Sequence, residues 1–393
     1  MFESISFFHK DKTGIEEPID IGNLVECMLF YGETEVYANR TILTQLFHYF
    51  GIDGTIELLS EGLIKINYSA YFSGIHTNKV NGIEYHKPVY GSIKDTNIRN
   101  DITIICQELT GKTGKGRRIA NRILELIIPN EPEYSVIESA KNSILNQELI
   151  QKFGNTIITD LIPETLNLEG VQFESHQTNS GIIIETNLNF EEINKIYHKY
   201  IPESHSSISR SSILAHIFAA EYEIWAASSN LTEISSSTIT SNLIPKKLDY
   251  LLNESNVSTK NIERFSEYVL DSKSIAEFVN ERKIQPVDII SLLKKSKKFK
   301  KWILELDGNG NLLKEYYDEI TRETWVDKLP GKTSHWAIFT IMGIAADLTV
   351  TGGLGTAIGT GIGALDHFVI DKLIKGWKPN QFIRKEVKPL LKK

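Results

Sequence analysis

Three groups of residues in this 393-residue chain are spaced so that they could do chemistry. The first is Leu109-Thr-Gly-Lys-Thr-Gly-Lys-Gly116, where Lys112, Thr113 and Lys115 sit in a glycine-rich turn. Read as a turn between a strand at Ile102–Cys106 and a helix at Arg117–Ile127, it has the context of a phosphate cradle. Against the P-loop pattern, Cys106 stands where the first glycine belongs, and Gly114 and Gly116 fall where the helix should have begun. The ordinary alternative is a basic turn. The second group is Asp307-Gly-Asn309-Gly-Asn311 through Asp318, oxygen ligands at positions 1, 3 and 5 of a calcium-type loop. Its sixth position is Leu312 rather than glycine and its twelfth is Asp rather than Glu, so a plain helix–helix turn is the better reading. The third comprises Asp347, Asp366 and His367, polar residues inside or beside a long apolar stretch, where membrane burial would make them functional. The ten histidines show no metal-ligand spacing, and no nucleophile-elbow, kinase or carboxylate-pair signature appears. No catalytic residue, metal or cofactor is assigned.

The apolar stretch, Leu348–Leu365, is the strongest architectural signal. Gly355, Gly359 and Gly363 recur every four residues, a stripe that lets another helix backbone approach closely. As a helix it would be about 27 Å long, just under the ~30 Å hydrocarbon core. Its six glycines and four threonines against six Leu, Ile or Val residues make it weak as a constitutive span. Extended back to Trp336 it includes Asp347, and lysines flank both ends (Lys328, Lys332, Lys372, Lys375). A hairpin over 336–370 that enters and leaves a membrane on one side fits this pattern, with a soluble αα-hairpin as the alternative.

A second segment points the same way. Residues 289–306 place Ile289, Leu292, Leu293, Phe299, Trp302, Ile303 and Leu306 on one helical stripe. Lys294, Lys295, Lys297, Lys298, Lys300 and Lys301 crowd the remainder, as in a basic amphipathic helix on an anionic membrane. A solvated lysine face on a core helix is the bland alternative.

Charge distribution agrees. The net charge is −7, yet residues 371–393 carry eight Lys or Arg against two acids. Such a tail after an apolar segment suits an anionic membrane face, whereas an acidic chain with lysine-only clusters argues against nucleic acid as a partner. Two cysteines, Cys27 and Cys106, both among apolar neighbours, fit a reducing compartment. The N-terminus lacks a signal-peptide pattern, so the expected location is cytoplasmic, on the membrane's inner face when bound.

The elements that must position these residues read as mixed α and β as far as about residue 205. The patterns predict a hairpin over Val25–Tyr31 and Glu35–Ala38, helices over Thr41–Phe50, Thr55–Ser60 and Glu133–Phe153, and a strand at Leu63–Tyr68. A second hairpin surrounds Gln177–Gly181, a helix begins after Asn189, and Ser204–Ser212 marks a linker or helix start. Beyond that, Ile213–Ala227, Ser258–Leu270, Ser274–Glu281, Pro286–Leu306 and Leu312–Leu329 read as helices. The expected fold is therefore an α+β N-terminal half followed by an all-α C-terminal half ending in the glycine-rich hairpin. The expected division is 1–205 (recognition or sensing), 206–330 (helical) and 331–393 (hairpin and basic tail).

Trp325-Val-Asp-Lys-Leu-Pro-Gly-Lys332, the glycine-rich segment and Gly376-Trp-Lys-Pro-Asn-Gln-Phe-Ile383 together resemble the tails of uncharacterised bacterial proteins. The resemblance covers the last quarter of the chain and implies no activity. The abundance of Asn, Ile and Lys likewise suits an AT-rich bacterial genome. The leading expectation is a non-enzymatic bacterial effector, toxin-like or of the phage-defence type, in which the hairpin acts on a membrane and glycine stripes join copies into an oligomer. The competing readings are a soluble nucleotide-binding protein or enzyme using 102–127, and a scaffold whose tail docks a partner protein.

Overall fold

Asn and Asp residues start the helices. Asp20, Asn39, Asn97, Asn146 and Asn189 each accept a backbone N–H with the side chain, and Ser209 does the same within a Ser209–Ser212 capping box. The computed structural model describes residues 3–8, 19–92, 97–131, 134–162, 164, 167–204, 206–254, 266–271, 275–304, 335–340, 363–375, 377, 379 and 381–383. In chain order the elements are β1 (Ser4–Phe7), α1 (Ile21–Phe30), β2 (Glu33–Ala38), α2 (Arg40–Ser60), β3 (Lys65–Tyr68), β4 (Tyr71–Val80), β5 (Ile83–Ser92), α3 (Ile98–Thr110), α4 (Thr113–Leu124) and β6 (Ile128–Pro129). There follow α5 (Tyr134–Leu145), α6 (Gln147–Leu161), β7 (Phe173–Gln177), β8 (Ile182–Thr186), α7 (Phe190–Tyr197), α8 (Arg210–Asn230), β9 (Glu233–Ser235) and α9 (Thr238–Glu254). The last are β10 (Ser266–Asp271), α10 (Ile275–Asn280), α11 (Pro286–Leu304), β11 (His335–Thr340), α12 (Ala364–Ile374) and β12 (Gln381–Ile383).

The fold is mixed α/β. One eight-stranded sheet has the order β11-β10-β12-β9-β1-β2-β3-β6. Its neighbours pair parallel throughout, except the antiparallel edge pair β10–β11. Chain alternation sends Ile5, Phe7, Val36, Ala38, Ile66 and Tyr68 into a core with α1–α4, α10 and α11. Phe8, Tyr37 and Ile234 enter a second core with α5–α9 and α12 on the other face. A four-stranded antiparallel sheet, β4-β5-β8-β7, belongs to that second side through Phe173, Ile182 and Ile184.

Several expectations change. Residues 21–30 are a helix rather than a hairpin arm, because a helix covered on nearly all sides shows no amphipathic period. Ile102–Cys106 lies in α3 rather than a strand: Ile102, Ile105 and Cys106 are the buried positions, a helical spacing. The C-terminal half is not all-α, since β9, β10, β11 and β12 join the large sheet. Residues 266–270, expected to be helical, form most of β10. Residues 335–340, expected to begin a helical hairpin, form β11, with Trp336 opposite Leu270. Short strands whose pairing partners lie tens of residues away carry too little local pattern to distinguish them from helix. The helix over 213–227, the described part (286–304) of the one expected over 286–306, the Gln177–Gly181 hairpin and the Gly51-separated pair in α2 form as expected. Leu312–Leu329 and the 307–318 loop lie outside the described residues.

Close backbone approach sets one packing limit. A Cβ on Gly22 of α1 would meet the Ala276 backbone of α10. Gly22→Ala is therefore expected to push α10 away and cost about 1–3 kcal/mol, read as a lower urea midpoint. An unchanged midpoint would mean that α10 is not packed this closely.

Candidate functional site

The only residue of the glycine stripe among those described is Gly363, which precedes α12. Its backbone is extended (φ −81°, ψ 172°), and a Cβ there would come within 2.7 Å of the Asn142 amide on α5. Its N–H donates to Asp366 Oδ2 at 3.3 Å. Leu365, Val369, Ile370 and Leu373 turn one face of α12 into the second core. Trp377 follows, its indole Nε1 donating to the Thr232 carbonyl at 2.9 Å.

Asp366 does more than cap its helix. It is buried, and its Oδ1 lies 3.0 Å from the Lys247 ammonium of α9 and 3.0 Å from the Ser139 hydroxyl of α5. Lys247 also meets Glu221 of α8 at 3.1 Å and donates to Ser143 Oγ at 2.6 Å. Ser139 donates to Glu221 Oε2 at 2.6 Å, and Ser143 makes a short bond to Glu221 Oε1. Burial works to lower the Lys247 pKa, but Glu221 and Asp366 more than reverse it, so it stands above the ordinary lysine value. One ammonium thus ties four helices, α5, α8, α9 and α12, through two carboxylates and two hydroxyls. The network is buried, and through Asp366 it fixes the helix that follows residue 363.

A second polar strip lies under α8. Glu35 of β2 accepts from Asn67 Nδ2 of β3 at 3.0 Å and Asn230 Nδ2 of α8 at 2.7 Å. Burial foremost, then Glu33, raises the Glu35 pKa. Ser6 and Thr232 hydroxyls meet at 2.6 Å beside it. Sequence reading missed this strip; the available signal was Glu33, Glu35 and Tyr37 alternating along one strand face.

The lysines expected on an anionic surface are distributed differently. Ile289, Ile290, Leu292 and Leu293 seat α11 in the first core. Lys294 forms a close ion pair with Glu57, and Lys297 bonds the Glu61 carbonyl and stands 3.5 Å from its carboxylate, so both fasten α11 to the end of α2. Lys300 is buried; desolvation, then the charge of Lys297, lowers its pKa to about 7. Lys295 is exposed. The side chains of Lys298 and Lys301 and all of Asp347, Gly355 and Gly359 lie outside the described residues, as does the Trp336 side chain.

Lys112, Thr113 and Lys115 are exposed at the turn between α3 and α4. Gly111 closes α3 in the left-handed region (φ +62°), a helix C-cap. With a helix in front of it, this turn is not the strand–loop–helix of a P-loop.

One metal-type grouping exists among the described residues, where none was expected from spacing. His176 Nε2 stands 3.8 Å from Glu174 Oε2 and 4.0 Å from Glu185 Oε2, all exposed on β7 and β8. The cross-strand register Glu174↔Glu185 brings them together. They also serve as ordinary surface charges.

The fold and site define an open, mostly parallel α/β sheet covered on both faces, with its C-terminal helix held by a buried ion network. No protein-family model, no curated protein and no solved structure matches this chain.

Two outcomes are expected. Lys247→Met leaves two buried carboxylates without their cation and should cost about 3–5 kcal/mol in urea unfolding, most of it regained when Glu221→Gln and Asp366→Asn are added. No regain would mean that the charges are not what makes the site costly. For Lys300, folding is opposed below pH 7, where folded and unfolded chains are both protonated. The penalty fades as pH rises from about 7 toward 10.5, where only the unfolded chain holds the proton. Lys300→Met should therefore stabilise more at pH 7 than at pH 10, and an equal gain at both would contradict the shifted pKa.

Proposed function

We propose that this chain is a non-enzymatic, membrane-active effector of bacterial type whose working element is the glycine-rich segment 341–362. That segment carries one charge, Asp347, and folded back on itself it has two legs each shorter than the ~20 residues of a crossing, as a re-entrant element would. The observation that carries the reading is the buried pairing of Asp366 with Lys247, three residues beyond Gly363. On the other side, β11 is hydrogen-bonded into the sheet edge. Both flanks are thus tied to one body, which supports entry and exit on one membrane face, and α12 is the flank whose release would lengthen the free segment. Among the described residues no helix is long and apolar enough to cross a membrane, so insertion would require the segment itself. The basic residues after 371 suit the anionic inner face. The Gly355–Gly359–Gly363 stripe would join copies once in lipid.

Flotation with phosphatidylglycerol-rich liposomes tests this reading. Asp366→Asn should loosen α12 and raise the floated fraction several-fold over the wild type at equal salt. Neither protein floating above a vesicle-free control, at pH 5 or pH 7, would rule it out.

A further inference from the structure

The α3–α4 unit is an antiparallel helical hairpin that the membrane reading does not use. Gly116 lies against the backbone of Gln107, and Arg99 donates to Asn121 Oδ1 at 3.1 Å, so the two helices run side by side. Gly116, Ala120 and Ile123 of α4 face inward, while Ile102, Ile105 and Cys106 of α3 fill the first core. The hairpin is further anchored by its acids. Asp101 is buried against the Tyr68 hydroxyl and lies 3.4 Å from Arg40, and Glu108 takes the same guanidinium at 2.9 Å.

What remains outward is cationic. Helix α4 contains Lys115, Arg117, Arg118 and Arg122 and no acid, and all four are exposed. Arg99 and Lys112 extend the patch at its edges, with Glu125 the one exposed carboxylate at the end of α4. Among the described residues none of these cations is paired with a carboxylate. This is the opposite arrangement to α11, where Lys294 and Lys297 are used internally.

We infer that the outer face of α4 binds the phosphate backbone of double-stranded DNA. Three of its four cations are arginine, whose planar fork matches phosphate oxygens in pairs. Lys115 to Arg122 spans about 10 Å along the helix, a length that can follow a groove edge and meet several phosphates. The apolar side of α4 is spent on α3, so the helix has nothing to immerse in lipid, which membrane-surface helices require. Its exposed positions, Thr113, Gly114, Lys115, Arg117, Arg118, Asn121 and Arg122, include no aromatic residue on which unpaired bases could stack, which disfavours single strands. The deep, narrow major groove of A-form RNA excludes a helix. A net charge of −7 does not oppose this, because a local cationic face sets the field its ligand meets.

Fluorescence anisotropy of a 25-base-pair DNA of arbitrary sequence with the full chain tests the assignment. Four phosphate contacts predict a log–log salt slope of about −3.6, an affinity loss of about 100-fold between 50 and 200 mM salt. Lys115→Gln/Arg117→Gln/Arg118→Gln/Arg122→Gln should flatten the slope to about −1 or less and weaken binding at least tenfold at 50 mM. Arg118→Glu alone should weaken binding more than Arg118→Gln. Removing charge elsewhere, by Lys152→Gln/Lys195→Gln/Lys199→Gln, should leave binding unchanged. The assignment fails if the wild type does not bind at 50 mM salt or if the quadruple variant binds equally. It also fails if the distant triple variant loses as much, or if duplex RNA, single-stranded DNA or anionic vesicles are retained while duplex DNA is not.

Discussion

Strand β12 stands between β9 and β10, so among the described strands the antiparallel pair β10–β11 joins the parallel core through Gln381–Ile383. The large sheet is therefore incomplete until a segment near the end of the chain is in place. Helix α12 and Trp377 deliver that strand, and the Lys247 ammonium fixes α12 to three other helices. A buried triad of this kind is a poor source of net stability, since desolvating three charges consumes most of what their attraction returns. It is, however, intolerant of losing one member. That combination, weak as glue but strict in its partners, gives the C-terminal elements one seat.

Three cationic sites among the described residues differ in fate, and burial and partners separate them. Lys247 is enclosed and kept charged by two carboxylates. Lys300 is enclosed with no carboxylate partner among the described residues, and its pKa falls below the ordinary lysine value. The arginines of α4 stay in water because their helix turns its small residues, Gly116 and Ala120, inward. Similar residue types thus stand as a paired buried charge, as a buried cation of lowered pKa and as a solvent-facing surface.

Local signals were legible where a few residues decide the outcome. Asn189 and the Ser204–Ser212 run, which holds the cap Ser209, announce helix starts because the capping bond lies within three residues of the cap, whereas the helix expected from Thr41 is capped by Asn39. The Gln177–Gly181 turn announces its hairpin for the same reason. Strands β10, β11 and β12 were not legible, because the partners that pair with them lie far along the chain. Ile102–Cys106 shows the same limit in reverse. Its run of β-branched residues suggests a strand, yet the core beneath accepts only every third or fourth side chain. For the site, composition singled out Asp366 as a polar residue in apolar surroundings; that its partners are Lys247 and Glu221, more than a hundred residues away, could not be read from spacing.

By itself the sequence determined the mixed α/β character, the helix starts at Asn189 and in the Ser204–Ser212 run, the basic end and the glycine spacing, since each depends on residues within a turn or two of one another. Only the tertiary structure decided which charges are paired. Lys294 and Lys297 belong to Glu57 and Glu61, Asp366 to Lys247, while Arg117, Arg118 and Arg122 are left to solvent. The physical reason is that an ion pair depends on distance in space and on the water excluded around it, and neither quantity exists until the two covered faces of the sheet have closed.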